Sequence, residues 1–431
     1  RQSSLKSIIH FHFLMPIRTL YICYFGLREP LVQTQVLPYL RHLALAGVGV
    51  HLLTFEPNLR EKWSEDELAN RRVQLENEGI TWHCLPYHKS PSLPATIYDI
   101  LAGARYARKL ARREGINVLH ARAHVPMAMA LLARRLARVK LIFDIRGLMA
   151  EEYADAGIWT ETSLPFRLVK RLERAGIKRA DQIVVLTERL RDWLVANKLK
   201  ASEQIQIIPC CVDFRRFAAV ESLLAPPSAR FEVIYAGSLL GLYLVEEVGH
   251  FFKVVKAHRP NAFLRVLSVS PPEQGANALK GAGLNDTDFE ILSVSPDEVP
   301  LHLRSARLGV SFRKPAFAQI AASPTKIPEY LAAGLPVVCN AGVGDMDELV
   351  ANEGVGVVLY SFDDDAYQEA AAQALKLTEN RQIRTHCRAV AETFFDLETV
   401  GGPKYVELYR RLEGEAQTQP PGLKLMSGLA R

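Results

Sequence analysis

The sequence predicts an α/β protein built from two consecutive Rossmann-like halves. Three observations carry that expectation. Short apolar runs alternate with helical patterns along most of the chain, as in a parallel, doubly wound sheet. The alternation occurs twice, interrupted by AVESLLAPPSAR at 219–230, a Pro-Pro stretch with no clear period that reads as a linker. The chain has 431 residues, more than one hydrophobic core usually serves.

The first half begins at RTLYICYFG, a buried-strand pattern closed by Gly26. After the loop LREP, Val32, Val36, Leu37, Leu40 and Leu43 fall at helical spacing, and Gly47 ends the helix. VGVHLLTFE is the next strand, so the chain opens as strand, loop, helix, strand. A charged helical excursion at 58–78, the strand ITWHCLPY and a basic helix at 95–114 follow. INVLHARA is a strand ending near His120 and His124, and VPMAMALLARRLA is a helix. KLIFDIRG is a strand opening into a loop at Asp144-Ile145-Arg146-Gly147. A helix at 165–179, the strand ADQIVVLTE, the helix RLRDWLVANK and IQIIPCCVD complete a first domain over 17–218. The second domain, 231–402, opens on the strand FEVIYAGSL and a helix at 243–258, and continues through the strands FLRVLSVS, FEILSVS and ARLGVSFRK. SPTKIPEYLAAGLPVVCN, GVGVVLYS and a helix at 364–376 close it. A helix at 403–413 comes last, and the Gly/Pro/Gln-bearing tail 414–431 is expected to be loose.

Composition narrows the function classes. Apolar residues make up 48% and charged residues 23%, ordinary for a globular protein. The charge is uneven: residues 1–216 carry a net +12 and residues 217–431 a net −6. A basic first half suits an anionic partner, whether nucleic acid, anionic lipid or a phosphorylated acceptor. A nucleic-acid role is disfavoured because Lys and Arg are not interleaved with aromatics. The basic helices 104–113 and 166–179 are candidates for contact with an anionic membrane. No Cys-x-x-Cys pair and no Cys/His cluster at zinc spacing occurs, so the six cysteines read as reduced core residues of a cytoplasmic protein. The apolar stretch Ile8 to Met15 is too short to span a membrane and has no small-residue cleavage site. Residues 1–16 are therefore set aside, with Met15 a candidate true start. No GxGxxG follows a strand, which counts against a dehydrogenase. Asp363-Asp364-Asp365 invites a metal reading, but its place before AYQEAAAQAL fits a negatively charged helix N-terminus better.

The stretch 323–340 concentrates the chemistry. A Ser-Pro-Thr turn opens a short helix carrying Lys326 and Glu329 one turn apart. Gly334 ends the helix and Pro336 blocks its continuation into the strand PVVCN. A helix N-terminus suits a phosphate. Lys326 in the first turn opposes the helix dipole, which favours a ligand-facing role over a structural one.

SPTKIPEYLAAGLPVV followed by NAGVGDMDELV resembles the donor-binding region of the family-four glycosyltransferases, which have the GT-B fold. FEVIYAGSL is similar to the strand opening their C-terminal domain. ADQIVVLTERLRDWL with IQIIPCCVD is similar to the end of their N-terminal domain, and REPLVQTQVLPYLRHLALAG to their first loop and helix. The likeness covers roughly residues 18–413. It implies two Rossmann-like domains facing a cleft, with a nucleotide-sugar donor on the second and the acceptor approaching from the first. It implies a last helix that crosses back, a product keeping the anomeric configuration, and no metal or other cofactor.

Carried onto this chain, the resemblance makes Glu329 the ligand of the donor ribose. Two family features are missing. The glutamate eight positions earlier is Ala321 here, leaving the backbone N–H groups of Ala322 and Ser323 to meet the sugar. The Arg and Lys expected after the first strand of the second domain are absent from Gly237-Ser238-Leu239-Leu240-Gly241-Leu242-Tyr243. A diphosphate still needs donors. Lys326 and the strand-end pair Arg313 and Lys314 are the candidates, with Gly237 and Ser238 allowing close approach and Thr325 in the helix-opening turn. His124 aligns with a family histidine that approaches the reacting sugar. Asp144 and Arg146 are candidates for orienting the acceptor hydroxyl or binding its anionic group, and Arg28 and Glu29 lie in a loop that faces the cleft in this family. The expected activity is sugar transfer from a nucleotide diphosphate to a glycan or lipid-linked acceptor, in the cytoplasm or at the inner face of the membrane. A sugar-nucleotide epimerase of the same fold and a non-catalytic transferase-like partner protein are the alternatives.

Overall fold

A computed structural model of the chain describes residues 17–88, 90–134, 139–221 and 230–417. Residues 1–16, most of the linker and the tail from 418 lie outside the described residues. Seven parallel strands form the first sheet: β1 (Arg18–Cys23), β2 (Gly49–Pro57), β3 (Ile80–Tyr87), β4 (Val118–Arg122), β5 (Lys140–Asp144), β6 (Gln182–Val185) and β7 (Ile205–Ile207). Their order is β3-β2-β1-β4-β5-β6-β7. The second sheet has six parallel strands, β8 (Phe231–Ala236), β9 (Ala262–Leu267), β10 (Phe289–Leu292), β11 (Leu308–Ser311), β12 (Val337–Asn340) and β13 (Gly356–Leu359). Their order is β10-β9-β8-β11-β12-β13.

Each sheet reverses its winding once, between β1 and β4 and between β8 and β11. Loops leaving the carboxyl ends of strands at such a point diverge, which opens a crevice for ligands. Helices cover both faces, so central strands are apolar on both sides; every residue of β6, β11 and β12 is buried. Among the described residues, no helix is long and apolar enough to cross a membrane.

The lobes touch directly. Asp345 of the second lobe accepts the backbone N–H groups of Glu188 (2.7 Å) and Arg189 (3.2 Å), the exposed first turn of helix Glu188–Ala196. Arg189 pairs with Asp347 at 2.9 Å and Glu348 at 2.7 Å. Thr187 Oγ1 donates to the Ile320 carbonyl at 2.6 Å.

The final helix, Gly402–Gln417, returns to the first lobe, so residues 414–417, expected to be loose, are helical. It packs on helix Leu37–Leu45, burying Tyr405, Leu408, Tyr409 and Leu412 with Tyr39 and Leu40. The approach is close enough that a Cβ on Gly402 would lie 2.5 Å from the His42 ring. Asp363 caps helix Asp364–Glu379 by accepting the Ala366 N–H at 2.9 Å.

Candidate active site

The site is assembled where β8, β11 and helix Lys326–Ala332 meet. β8 is followed by Gly237, whose φ of +141° is open to glycine and strained for other residues. The Tyr235 hydroxyl donates to the Ser238 carbonyl at 2.6 Å, and Ser238 Oγ accepts the Leu240 N–H at 3.2 Å, which pins the turn. The helix is held to the strand by Tyr330, whose hydroxyl accepts the Ala236 N–H at 2.7 Å and donates to the Val310 carbonyl at 3.3 Å. Tyr330 lies flat against Gly309, where a Cβ would be only 2.4 Å from its ring.

This frame aims Lys326 at Gly237. A Cβ on Gly237 would lie 2.8 Å from Lys326 Nζ. The amine is buried and has no hydrogen-bond partner among the described residues. It sits 3.8 Å from the Tyr235 ring centroid and 4.7 Å from that of Tyr243. The Arg313 guanidinium lies 4.7 Å from the Tyr243 ring, and its Nε donates to Gln319 at 2.6 Å. Burial, and then the charge of Arg313, pull the Lys326 amine well below the ordinary lysine range. Lys326 and Arg313 both lie against the Tyr243 ring, and among the described residues no carboxylate is bonded to either, an arrangement that an incoming anion would complete.

Glu329 is 15% exposed, and its Oε1 accepts from Arg216 Nη1 at 3.1 Å. Burial raises its carboxyl above the usual range, with Arg216 opposing. Arg216 also donates to the Pro296 carbonyl, so it is anchored behind the carboxylate.

Other expected positions lie elsewhere. Lys314 is exposed and donates across the cleft to the Asp155 carbonyl at 2.7 Å, so it points away from its neighbour Arg313. The Ala322 N–H is bonded to the Gln319 carbonyl at 3.0 Å and is not available to a sugar. Ser323 Oγ accepts the Cys210 N–H at 3.1 Å, a tie between the lobes. Thr325 precedes the helix and makes no side-chain cap. Ala321 is fully buried and packs into the hydrophobic core of the first lobe, where a glutamate would be stripped of water.

In the first lobe, His124 is 2% exposed and its Nε2 lies 3.0 Å from Glu173 Oε2. Glu173 is also bonded by Lys170, so the histidine is tied to helix Leu164–Arg179. Asp144 is fully buried at the end of β5. It accepts from the hydroxyls of Tyr405 (3.1 Å) and Tyr21 (3.3 Å), and Arg146 approaches at 3.5 Å. Burial pushes the Asp144 carboxyl up, but Arg146, His120 and Arg122 outweigh it and hold the group well below the usual range. Asp144 is thus a structural hub beneath the returning helix, where the sequence suggested an acceptor-orienting carboxylate. Arg28 stacks 3.9 Å from the Trp63 ring centroid and pairs with Glu67 at 3.0 Å, and Glu29 is exposed at the start of helix Pro30–Gln35.

Sequence reasoning missed Tyr235, Tyr243 and Arg216. The tyrosines read as ordinary strand and loop residues; only the Lys326 rotamer reveals them as its walls. Glu152 was also missed. It lies against Gly147, and burial raises its carboxyl, opposed by Arg313 across the cleft and by His124. Among the described residues, no group of three His, Cys, Asp or Glu could hold a metal ion.

Residues 32–211 match the model of the glycosyl transferase 4-like domain. A comparison with curated protein sequences yields no match. Among solved structures, the chain is similar to sucrose-phosphate synthase from Thermosynechococcus elongatus, with a TM-score of 0.69, 16% identity and coverage of 93% of this chain and 100% of that one. It is similar to a glycosyltransferase from Rickettsia africae, with a TM-score of 0.65, 12% identity and coverage of 94% and 100%. It is also similar to Anabaena HepE in complex with UDP and glucose, with a TM-score of 0.63, 14% identity and coverage of 94% and 100%. With a first lobe that matches the glycosyl transferase 4-like domain and two doubly wound sheets meeting at a cleft, the chain has the GT-B fold.

Proposed function

We propose that the chain is a retaining transferase that moves a sugar from a nucleotide-diphosphate sugar to a glycan or lipid-linked acceptor. The observation that carries the reading is the unpartnered, buried Lys326 amine aimed at the Gly237 turn, with Arg313 across the Tyr243 ring. A diphosphate seated there would take its missing counter-charges from these two side chains. Glu329, steadied by Arg216, would accept the ribose hydroxyls. The UDP and glucose bound to HepE support a nucleotide sugar as the donor.

In the transfer, the acceptor hydroxyl attacks the anomeric carbon on the face from which the diphosphate leaves. The bond from that carbon to the phosphate oxygen breaks as the new glycosidic bond forms. The hydroxyl proton passes to the departing phosphate oxygen, whose growing charge Lys326 and Arg313 stabilise. Losing one such donor typically costs ~10²–10³ in rate. A thermal-shift panel of nucleotide sugars is the direct test. A specific donor at about 100 times its dissociation constant should stabilise the protein by roughly 2.7 kcal/mol. No response to any member of the panel would sink the proposal.

A further inference from the structure

A second uncompensated charge lies in the first lobe. Arg122 is the last residue of β4, and Arg146 stands two residues beyond the end of β5. Both project from the sheet face covered by the returning helix, together with Tyr21, His120 and Asp144. The Arg122 side chain is 6% exposed and that of Arg146 is 10% exposed. Among the described residues, Asp144 is the one carboxylate bonded to either, and both contacts are long: 3.7 Å from Arg122 Nη1 and 3.5 Å from Arg146 Nη1. Two further donors face the same place without a bond. Arg146 Nη2 is buried and has no partner among the described residues. His120 Nε2 is equally buried and stops 3.7 Å short of Asp144, while its Nδ1 meets the Tyr409 hydroxyl at 2.8 Å.

The charge count does not balance. Asp144 contributes one negative charge and the two arginines two positive charges, and burial favours a neutral His120. A guanidinium presents five N–H donors and cannot shed its proton in a protein. Buried, it needs a counter-ion or a full set of acceptors. Here the pair has half a counter-ion each. The position fits a ligand as well, since the carboxyl end of β4, which carries Arg122, borders the switch point of the sheet, and β5 is the next strand.

We propose that Arg122 and Arg146 form an oxyanion site, and that the group it takes is a phosphate or carboxylate carried by the acceptor. The claim rests on the transferase reading, and it narrows the acceptor to an anionic molecule. Asp144 then acts in a second way as well, holding the two guanidiniums apart and oriented while leaving half their charge for the ligand.

The test uses the full chain and a Lys326→Met background, which silences the donor pocket. Inorganic phosphate, glycerol 1-phosphate and glucuronate are titrated in thermal-shift assays at constant ionic strength against chloride. At least one of them should raise Tm in both wild type and Lys326→Met, and the rise should be lost in Arg146→Gln and Arg122→Gln. A rise that survives both arginine variants, or no rise with any probe, overturns the site. A phosphomonoester or uronate that binds about tenfold or more tightly than inorganic phosphate supports the acceptor assignment; inorganic phosphate binding as tightly as either overturns that assignment. If the arginine variants do not fold, selenate soaked into wild-type crystals gives an independent readout, and absence of its anomalous peak between the two guanidiniums overturns the site. Loss of UDP-sugar binding in Lys326→Met with the anion response intact separates this site from the donor pocket. Failure of the donor reading would instead appear as UDP-sugar affinity unchanged in that variant.

Discussion

Lys326→Met is the sharpest perturbation the site offers. Methionine fills the same channel between Tyr235 and Tyr243 without a charge. In the free protein the amine has no hydrogen bond among the described residues, and its compensation is the two aromatic faces at 3.8 and 4.7 Å. Such contacts supply ~0.5–2 kcal/mol. Replacing imperfectly compensated buried charge with apolar packing often stabilises by ~1–4 kcal/mol. The free variant should therefore be as stable as wild type or more so. Donor binding should move the other way, because a charge-assisted hydrogen bond to a phosphate is worth ~1.5–3 kcal/mol. Affinity for UDP should fall by about 10-fold to 150-fold. Protonation gives a second signature. The free-protein amine titrates well below the ordinary lysine value, and a bound diphosphate would raise it again. Binding in that pH window should take up as much as about one proton, read from calorimetry in buffers of different ionisation enthalpy. The same shift makes wild-type stability rise with pH between the lowered value and the ordinary one, since the unfolded chain holds the extra proton there. That slope should vanish in the variant. Unchanged UDP affinity together with no buffer dependence would refute the reasoning.

Three further outcomes follow from the geometry. Asp144→Asn should destabilise by ~3–5 kcal/mol in urea melts, because it leaves two buried guanidiniums unopposed. The lowered carboxyl of Asp144 contributes stability above its unfolded pKa that is lost as pH falls toward the folded value, so the variant should show a shallower acid unfolding profile. Glu329→Gln should weaken UDP binding by about tenfold in calorimetry, by removing an acceptor of ribose hydroxyls; an unchanged affinity would remove Glu329 from the donor site. Ala321→Glu would bring the chain into line with the family pattern, yet it should lower Tm and fail to raise activity. The new carboxylate would enter the first lobe's core at a desolvation cost of several kcal/mol.

The frame of the molecule was legible because hydrophobic periodicity is a local signal. β5, β8 and β12 each appear in the sequence as apolar runs, and the helix Lys326–Ala332 is bounded by a Ser-Pro-Thr turn and a glycine. What the sequence concealed depends on side-chain direction and on distant partners. Arg313 and Lys314 are adjacent, and nothing in their spacing says that one stacks on Tyr243 while the other reaches the first lobe. Asp144 read, with Arg146, as a candidate for orienting the acceptor hydroxyl or binding its anionic group, and its partners Tyr21 and Tyr405 were hidden because they lie 123 and 261 residues away. Ala321 read as a missing sugar contact; in the fold it is buried in the core of the other lobe.

The returning helix ties the ends of the described chain together. Thr19 on β1 bonds Tyr409 at 2.9 Å across 390 residues of sequence. On a ribosome, the first lobe emerges whole while the tyrosines that satisfy Asp144 and His120 have yet to be made. Its buried face under the returning helix would stay open to water until the second lobe had been synthesised. Completion of the first lobe is therefore timed by a helix made only after the whole second lobe, and a nascent chain lacking Tyr405 and Tyr409 should expose that face to chaperones and proteases.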